Sequence, residues 1–413
     1  MKLLHATTVP ATLQFLRTQP AHLAAHGIDV VLLSSPDESL HRIAETEGVR
    51  AIAVPMHRGI SVGTDLRTLG RLIRILREEK PDIVHAHTPK AGLLVTLAGR
   101  LAGVPLCIYQ IHGLRFLTTS GIQRRILKAT ERISTSAAHE VLCVSPSVLA
   151  LAEDERVIRR GKGHVLGHGT INGVDLHAFD PATHRDAGAA LRAELEIPHG
   201  APVVGFVGRL VADKGVAALA DAWALVRERV PGAHLLMVGG TDGTDPVDPE
   251  AMKLLEQDPR VHLVGERADV RPYYAAMSVL TLPSAREGFP QTLLEGSAMG
   301  LPTVGSDVAG VRDAVQDGTT GPLVPFHAPR ALADALITPL EDPTRCTSLG
   351  GAGRRWARSG FDREAVRDRF LDFYRTAGTE RGLPSVRSSP RGEAGASSPA
   401  HSAAAVRPGA GAR

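Results

Sequence analysis

Val203-Val204-Gly205-Phe206-Val207-Gly208-Arg209-Leu210-Val211-Ala212-Asp213-Lys214-Gly215 runs directly into the helical pattern of residues 216–230. The apolar run reads as a buried strand, the glycines as a turn, and the following stretch as an amphipathic helix. Asp213 is expected as its N-cap. Arg209 and Lys214 then fall on the turn and the helix start, where free backbone amides and the positive end of the helix dipole favour an anion. Two cations beside them favour a diphosphate; the competing reading is two solvated surface charges. The 413 residues contain no GxGxxG and no GxxxxGK[ST], so neither a dinucleotide fingerprint nor a Walker loop is supported.

The same alternation recurs outward. Strands are expected around 2–6, 29–33, 51–54, 83–86, 106–110 and 140–144, and again around 202–207, 233–238, 261–264, 279–282, 302–305 and 321–324, with helical patterns between them. This is an α/β chain with parallel sheets in two halves. The expected division is an N-terminal Rossmann-like domain at 1–170, a connection at 171–201 and a C-terminal Rossmann-like domain at 202–360. A helix at 361–378 packs back on the first domain, and a disordered Ser/Pro/Gly/Ala/Arg tail occupies 379–413. The net charge of +3 resides in that tail, which holds five arginines against two glutamates. The body is neutral, which argues against a nucleic-acid binder. Three scattered cysteines without metal spacing fit a reducing cytoplasm. Met1–Pro10 is not expected to act as a secretory leader and no run of 18 apolar residues occurs, so membrane contact is expected to be peripheral.

The second decisive stretch is PSAREGFPQTLLEGSAMGLPTVGSD, residues 283–307. Glu287 ends a loop, Pro290 suits a first helical position, and Gly300 and Pro302 mark the stop. Backbone at Phe289, Pro290, Gln291 and Thr292 would face the same anion as Arg209 and Lys214. Glu295 lies one and a half turns into the helix. Carboxylates this close to a phosphate site would address hydroxyls, as on a ribose diol or a hexose edge.

Together, GRLVADKG and Glu287-x7-Glu295 resemble the retaining glycosyltransferases of family 4, over nearly the whole body to about Tyr374. The resemblance implies the GT-B fold, two facing Rossmann-like domains with a cleft between them. It implies that Arg209 and Lys214 hold the donor diphosphate, Glu295 the ribose and Glu287 the transferred sugar. Backbone at Arg267 and the Asp269 carboxylate would read the nucleobase. No metal and no cofactor are expected, the cations and helix amides serving the leaving group instead.

On the acceptor side, YQIHGLRF places His112 just after a strand, where it is expected to orient a sugar hydroxyl or the acceptor. VHAHTPKAG puts His85 and His87 on one strand face without an obvious third metal ligand, and Thr88, Pro89 and Lys90 begin a second anion-friendly helix start. His87, Thr88 and Lys90 are the acceptor-side candidates. With TTVPATLQFL and RFLTTSGIQRRILKATER, this segment resembles transferases that build capsule and exopolysaccharide repeat units. Thr7, Thr8, Val9 and Pro10 stand where many members carry a Gly-Gly loop. Arg67, Arg71, Arg74 and Arg77 form a stripe expected opposite Leu66, Leu69, Ile73 and Leu76. Gln123, Arg124, Arg125, Lys128 and Arg132 form a second patch. Either face could contact an anionic membrane.

The expected function is transfer of a hexose or N-acetylhexosamine, with retention, from a UDP-linked sugar to a polyprenyl-diphosphate-linked acceptor in surface polysaccharide synthesis. The expected location is cytoplasmic, at the inner face of the membrane. The alternatives are a UDP-sugar epimerase on the same fold and a transferase with a soluble acceptor.

Overall fold

The computed structural model describes residues 1–57, 59 and 61–384. It divides into two units, Met1–Asn172 with the chain from Ala365 onward, and Gly173–Glu364. Each is built on one sheet whose strands are all parallel. In the first unit these are β1 (Lys2–Ala6), β2 (Asp29–Ser34), β3 (Arg50–Ala53), β4 (Ile83–Ala86), β5 (Leu106–Ile111), β6 (Glu140–Cys143) and β7 (Gly163–His164), in the order β3-β2-β1-β4-β5-β6-β7. In the second they are β8 (Val203–Val207), β9 (His234–Val238), β10 (Val261–Leu263), β11 (Val279–Leu282), β12 (Thr303–Ser306) and β13 (Leu323–Val324), in the order β10-β9-β8-β11-β12-β13.

Helices cover both faces of such sheets, so the central strands read as nearly unbroken apolar runs; β8 and β11 are buried throughout. The strand order reverses between β1 and β4 and again between β8 and β11. Ligands on doubly wound sheets bind beyond the strand carboxyl ends at that reversal. The loops after β8 and β11 carry Arg209, Lys214 and Glu287, and those after β4 and β5 carry His87 and His112.

The first unit is closed by the helix Arg363–Thr379, whose Val366, Phe370, Leu371 and Tyr374 join Leu3, Leu23 and Ile83 in one core. The first residues of the stretch expected as a tail are ordered on the first unit. Residues 380–383 turn back on the helix end, Leu383 packs on the first-unit core and Arg381 pairs with Glu140 at 3.4 Å. Residues 385–413 lie outside the described residues. The stretch 171–201 is also more than a connection. It contains the helix Pro181–Glu194, capped by Asp180, whose Gly188 lies flush against Ala275 of the helix Arg271–Ala276. Its few apolar residues hid it, because a close helix contact through glycine and alanine needs no large side chain.

Candidate functional site

In the second unit, β8 ends at Val207 and the chain turns through Gly208 into the 3-10 turn Ala212–Lys214. Asp213 lies inside that turn and is not an N-cap. The following helix Val216–Arg229 is capped by Gly215 at φ 72°, a left-handed conformation that favours glycine. A Cβ there would also lie 1.9 Å from the Pro283 carbonyl oxygen, so Gly215 lets the loops after β8 and β11 lie against each other. They are further joined by Ala285 N–H donating to Asp213 O at 2.8 Å and by an Arg286–Asp213 ion pair.

This contact delivers Lys214 to Glu287. The ammonium donates to Glu287 Oε1, and the two side chains are only 21% and 12% exposed. The loop holding Glu287 is shaped by Gly310 at φ 83°, where a Cβ would fall 2.6 Å from the Glu287 carbonyl oxygen. Arg209 points elsewhere. Its Nη1 donates to Asp242 Oδ2 at 2.6 Å, and its side chain is 61% exposed. Asp242 is itself organised by Thr244, whose N–H and hydroxyl both donate to Oδ1. Those bonds and Arg209 hold the Asp242 carboxyl below its ordinary range. Sequence inspection read this TDGTD stretch as a plain turn. It is a turn, and it also supplies the counter-ion of Arg209.

The helix Gln291–Ala298 starts one residue later than expected. Pro290 is its N-cap in an extended conformation and, lacking an N–H, offers a phosphate no backbone donor. Gln291 donates through Nε2 to Gly173 O at 2.6 Å, so its amide side chain anchors the helix start. Phe289 packs against Phe361 at a ring separation of 5.2 Å, a structural contact. The N–H groups of Gln291 and Thr292 belong to the first turn of this helix. Glu295 accepts a 2.9 Å hydrogen bond at Oε2 from the buried Tyr274 hydroxyl.

In the expected nucleobase segment, Arg267 Nε donates to the Tyr273 hydroxyl at 2.7 Å. The Asp269 carboxylate is engaged by Arg271 through two bonds of 2.7 Å, and that pairing depresses its pKa.

The first unit collects histidines. Register pairing sets His5 on β1 beside His85 on β4. His87, just beyond β4, has Nε2 2.8 Å from His5 Nδ1 and Nδ1 3.4 Å from His112 Nε2. His85 Nδ1 meets the Tyr374 hydroxyl at 2.7 Å. Burial pushes His5 down to about 3 and His112 to about 4, and it also holds His85 and His87 well below the ordinary histidine range. All four are therefore neutral near pH 7. His112 is partly exposed and stacks near Phe15, with ring centroids 5.9 Å apart. His5 is the third imidazole missing from the sequence reading. His5, His85 and His87 place ring nitrogens within 4.8 Å of one another.

The second helix start is less open than expected. Thr88 Oγ1 accepts from Thr8 N–H at 3.0 Å, and Thr8 Oγ1 accepts from Ala91 N–H at 3.2 Å, so a first-turn amide is already capped. Lys90, 10% exposed, is held by both Asp65 oxygens at 2.6 and 2.7 Å. That ion pair ties the helix start at Lys90 to the helix Val62–Glu79. On that helix Thr68, Leu72 and Leu76 are buried, and Leu66 is 63% exposed on the arginine side. Arg67, Arg71, Arg74 and Arg77 are exposed. In the second patch Arg124 and Lys128 share Glu155, and Arg132 donates to the Arg156 carbonyl. Among the described residues no helix is long and apolar enough to cross a membrane.

Two family models match the chain, a glycosyl transferase 4-like domain over residues 14–169 and glycosyl transferases group 1 over residues 201–342. The capsular polysaccharide biosynthesis glycosyltransferase CapM of Staphylococcus aureus is 28% identical over 91% of this chain and 97% of its own length. A UDP-Gal:alpha-D-GlcNAc-diphosphoundecaprenol alpha-1,3-galactosyltransferase of Escherichia coli is 29% identical over 72% of this chain and 76% of its own. A D-inositol 3-phosphate glycosyltransferase of Catenulispora acidiphila is 30% identical over 72% of each chain. Among solved structures, HepE of Anabaena in complex with UDP superposes with a TM-score of 0.75 at 20% identity, covering 91% of this chain and all of the other. That likeness identifies the fold as GT-B. With both units matched and relatives aligned along most of its length, the chain belongs to the family 4 glycosyltransferases and is a glycosyl-transferring enzyme.

Proposed function

We propose that the enzyme moves a hexose or N-acetylhexosamine from a UDP-sugar to a polyprenyl-diphosphate-linked sugar, with retention at the anomeric carbon, in cell-surface polysaccharide synthesis. The observation that carries this reading is the cluster at the carboxyl ends of β8 and β11. The loops there carry Arg209, Lys214 and Glu287, with Lys214 on Glu287, and the helix Gln291–Ala298 that follows β11 carries Glu295. The cations and the first-turn amides of that helix suit a departing diphosphate and the carboxylates suit hydroxyls. Both cations are parked on carboxylates, Arg209 on Asp242 and Lys214 on Glu287. Donor binding exchanges these partners for diphosphate oxygens. Glu287, released from Lys214, then accepts from a hydroxyl of the transferred sugar, and Glu295 accepts from the ribose. As the anomeric C–O bond breaks, its electron pair leaves with the diphosphate, whose growing charge Arg209 and Lys214 stabilise. The acceptor hydroxyl supplies the new bond, and its proton passes to the departing diphosphate.

This route uses no metal. Neutral His112 can orient a hydroxyl of the sugar or acceptor, its ring set by His87. The relatives named for capsule synthesis and for a diphosphoundecaprenol acceptor support the lipid-linked substrate. A membrane-facing role for the first unit is supported by Val62 and Leu66, 71% and 63% exposed beside the arginine stripe. Such a surface suits reversible contact with anionic lipid, not anchoring, and this reading has the enzyme working at the cytoplasmic face of the membrane.

The test incubates the purified chain with UDP-[14C]hexoses and an undecaprenyl-diphosphate-linked N-acetylglucosamine. Label extracted into butanol supports the proposal. Label that stays aqueous with every donor, while a soluble sugar accepts it, contradicts the lipid acceptor.

A further inference from the structure

Tyr274 lies in the helix Arg271–Ala276 with no exposed surface, packed in the second-unit core beside Phe179. Its hydroxyl donates to Glu295 Oε2 at 2.9 Å and lies 3.4 Å from the Thr292 carbonyl oxygen in the first turn of the helix Gln291–Ala298. Burial and the adjacent carboxylate raise the phenol well above its ordinary pKa, so it remains a donor throughout the working range. A glutamate on a helix has three rotatable side-chain bonds. One fixed oxygen sets both the plane of the carboxylate and the direction of its second oxygen. A cis-diol is read by two acceptor directions at once, so that orientation decides how well both hydroxyls are met. The neighbouring Tyr273 performs a parallel service by accepting from Arg267 Nε at 2.7 Å. Two consecutive tyrosines thus tie one short helix to both the expected ribose contact and the expected base segment.

We propose that Tyr274 is a positioning residue for the donor nucleoside, holding the Glu295 carboxylate in the orientation that recognises the ribose diol. The assignment rests on the reading above in which Glu295 takes the ribose. Its signature is discrimination between ribose and deoxyribose, which a merely structural tyrosine would not alter.

The test measures binding of UDP, 2′-deoxy-UDP and inorganic diphosphate to the full-length chain by calorimetry. The wild type is expected to prefer UDP over 2′-deoxy-UDP by about tenfold or more, the effect of losing a hydrogen bond to a charged group. Tyr274→Phe keeps the ring and removes only the hydroxyl; it should bring the preference below about threefold while diphosphate binding stays within twofold. Glu295→Asp keeps the charge but withdraws the carboxylate by about 1.5 Å, one C–C bond. It should lose the preference equally, and the double variant should lose no more than either alone. Glu295→Asp also carries the test if Tyr274→Phe does not fold. A Tyr274→Phe or Glu295→Asp protein that discriminates like the wild type overturns the assignment, as does a double variant with a further loss. A wild type that binds UDP and 2′-deoxy-UDP alike removes the ribose role of Glu295 itself, and the Tyr274 assignment with it.

Discussion

Replacing Lys214 with alanine should damage donor binding more than replacing Arg209, for reasons the burial of the two ion pairs supplies. A charge-assisted hydrogen bond contributes about 1.5–3 kcal/mol, about 10- to 150-fold in affinity. Arg209 is mostly exposed, so water screens its charge and its removal should lie near the lower end, about tenfold. Lys214 is largely enclosed with Glu287. Lys214→Ala removes a weakly screened cation and leaves the Glu287 carboxylate without its partner beside the incoming diphosphate. Loss of attraction and new repulsion act together, so the effect should approach the upper end, about 100-fold. Adding Glu287→Gln to Lys214→Ala should restore part of that loss by removing the repulsion, while Glu287→Gln alone should bind UDP as well as the wild type or better. The assay is calorimetric titration with UDP, with circular dichroism to verify folding. A folded Lys214→Ala protein that binds UDP within threefold of the wild type would refute the argument.

Four further outcomes are expected. Asp242→Asn should tighten UDP binding a few-fold by freeing Arg209 from its competing carboxylate; weaker binding would show that Asp242 helps to present the arginine. Glu131 is buried on the Tyr109 hydroxyl at 2.8 Å, and burial raises its carboxyl to about 7. The folded state therefore holds a proton that the unfolded state has released, and stability should fall as pH rises from about 4.5 to about 7, by about 3 kcal/mol if the shift is fully expressed. Glu131→Gln should flatten that limb in denaturant titrations across pH, and an unchanged slope would locate the pH dependence elsewhere. Activity should survive EDTA; loss reversed by added Mg²⁺ would show a metal in the reaction. A chain truncated after Pro384 should co-sediment with anionic vesicles at low salt and dissociate at high salt, where the screening length shortens. Leu66→Asp with Arg67→Glu and Arg71→Glu should abolish that binding, and unchanged binding would exclude the arginine face.

Much of this architecture was legible because the strands are buried on both faces. Val203-Val204-Gly205-Phe206-Val207 is a continuous apolar run that only a covered strand explains. Gly163-His164, two residues long, leaves no such pattern. The helix Pro181–Glu194 escaped notice because its buried residues are only Gly188, against Ala275, and Leu191, which leaves no amphipathic stripe. Arg209, Lys214, Glu287 and Glu295 could be named from their spacing and from the resemblance. Their partners could not, because the pairs join residues distant in sequence. Lys90 is paired with Asp65 on a different helix, a contact that spacing along one segment does not reveal. His5 was invisible as a companion of His85 and His87 until strand register set them side by side. Leu66 was placed on the apolar face by spacing, but the buried stripe runs through Thr68, Leu72 and Leu76, rotated away from it.

The most direct test of the donor site is a crystal structure of the chain with UDP. The account predicts diphosphate oxygens within about 3.2 Å of Arg209 and Lys214. It also predicts that the Arg209–Asp242 and Lys214–Glu287 contacts open and that the ribose hydroxyls rest on Glu295. UDP bound elsewhere, or bound with both cations still on their carboxylates, would contradict it.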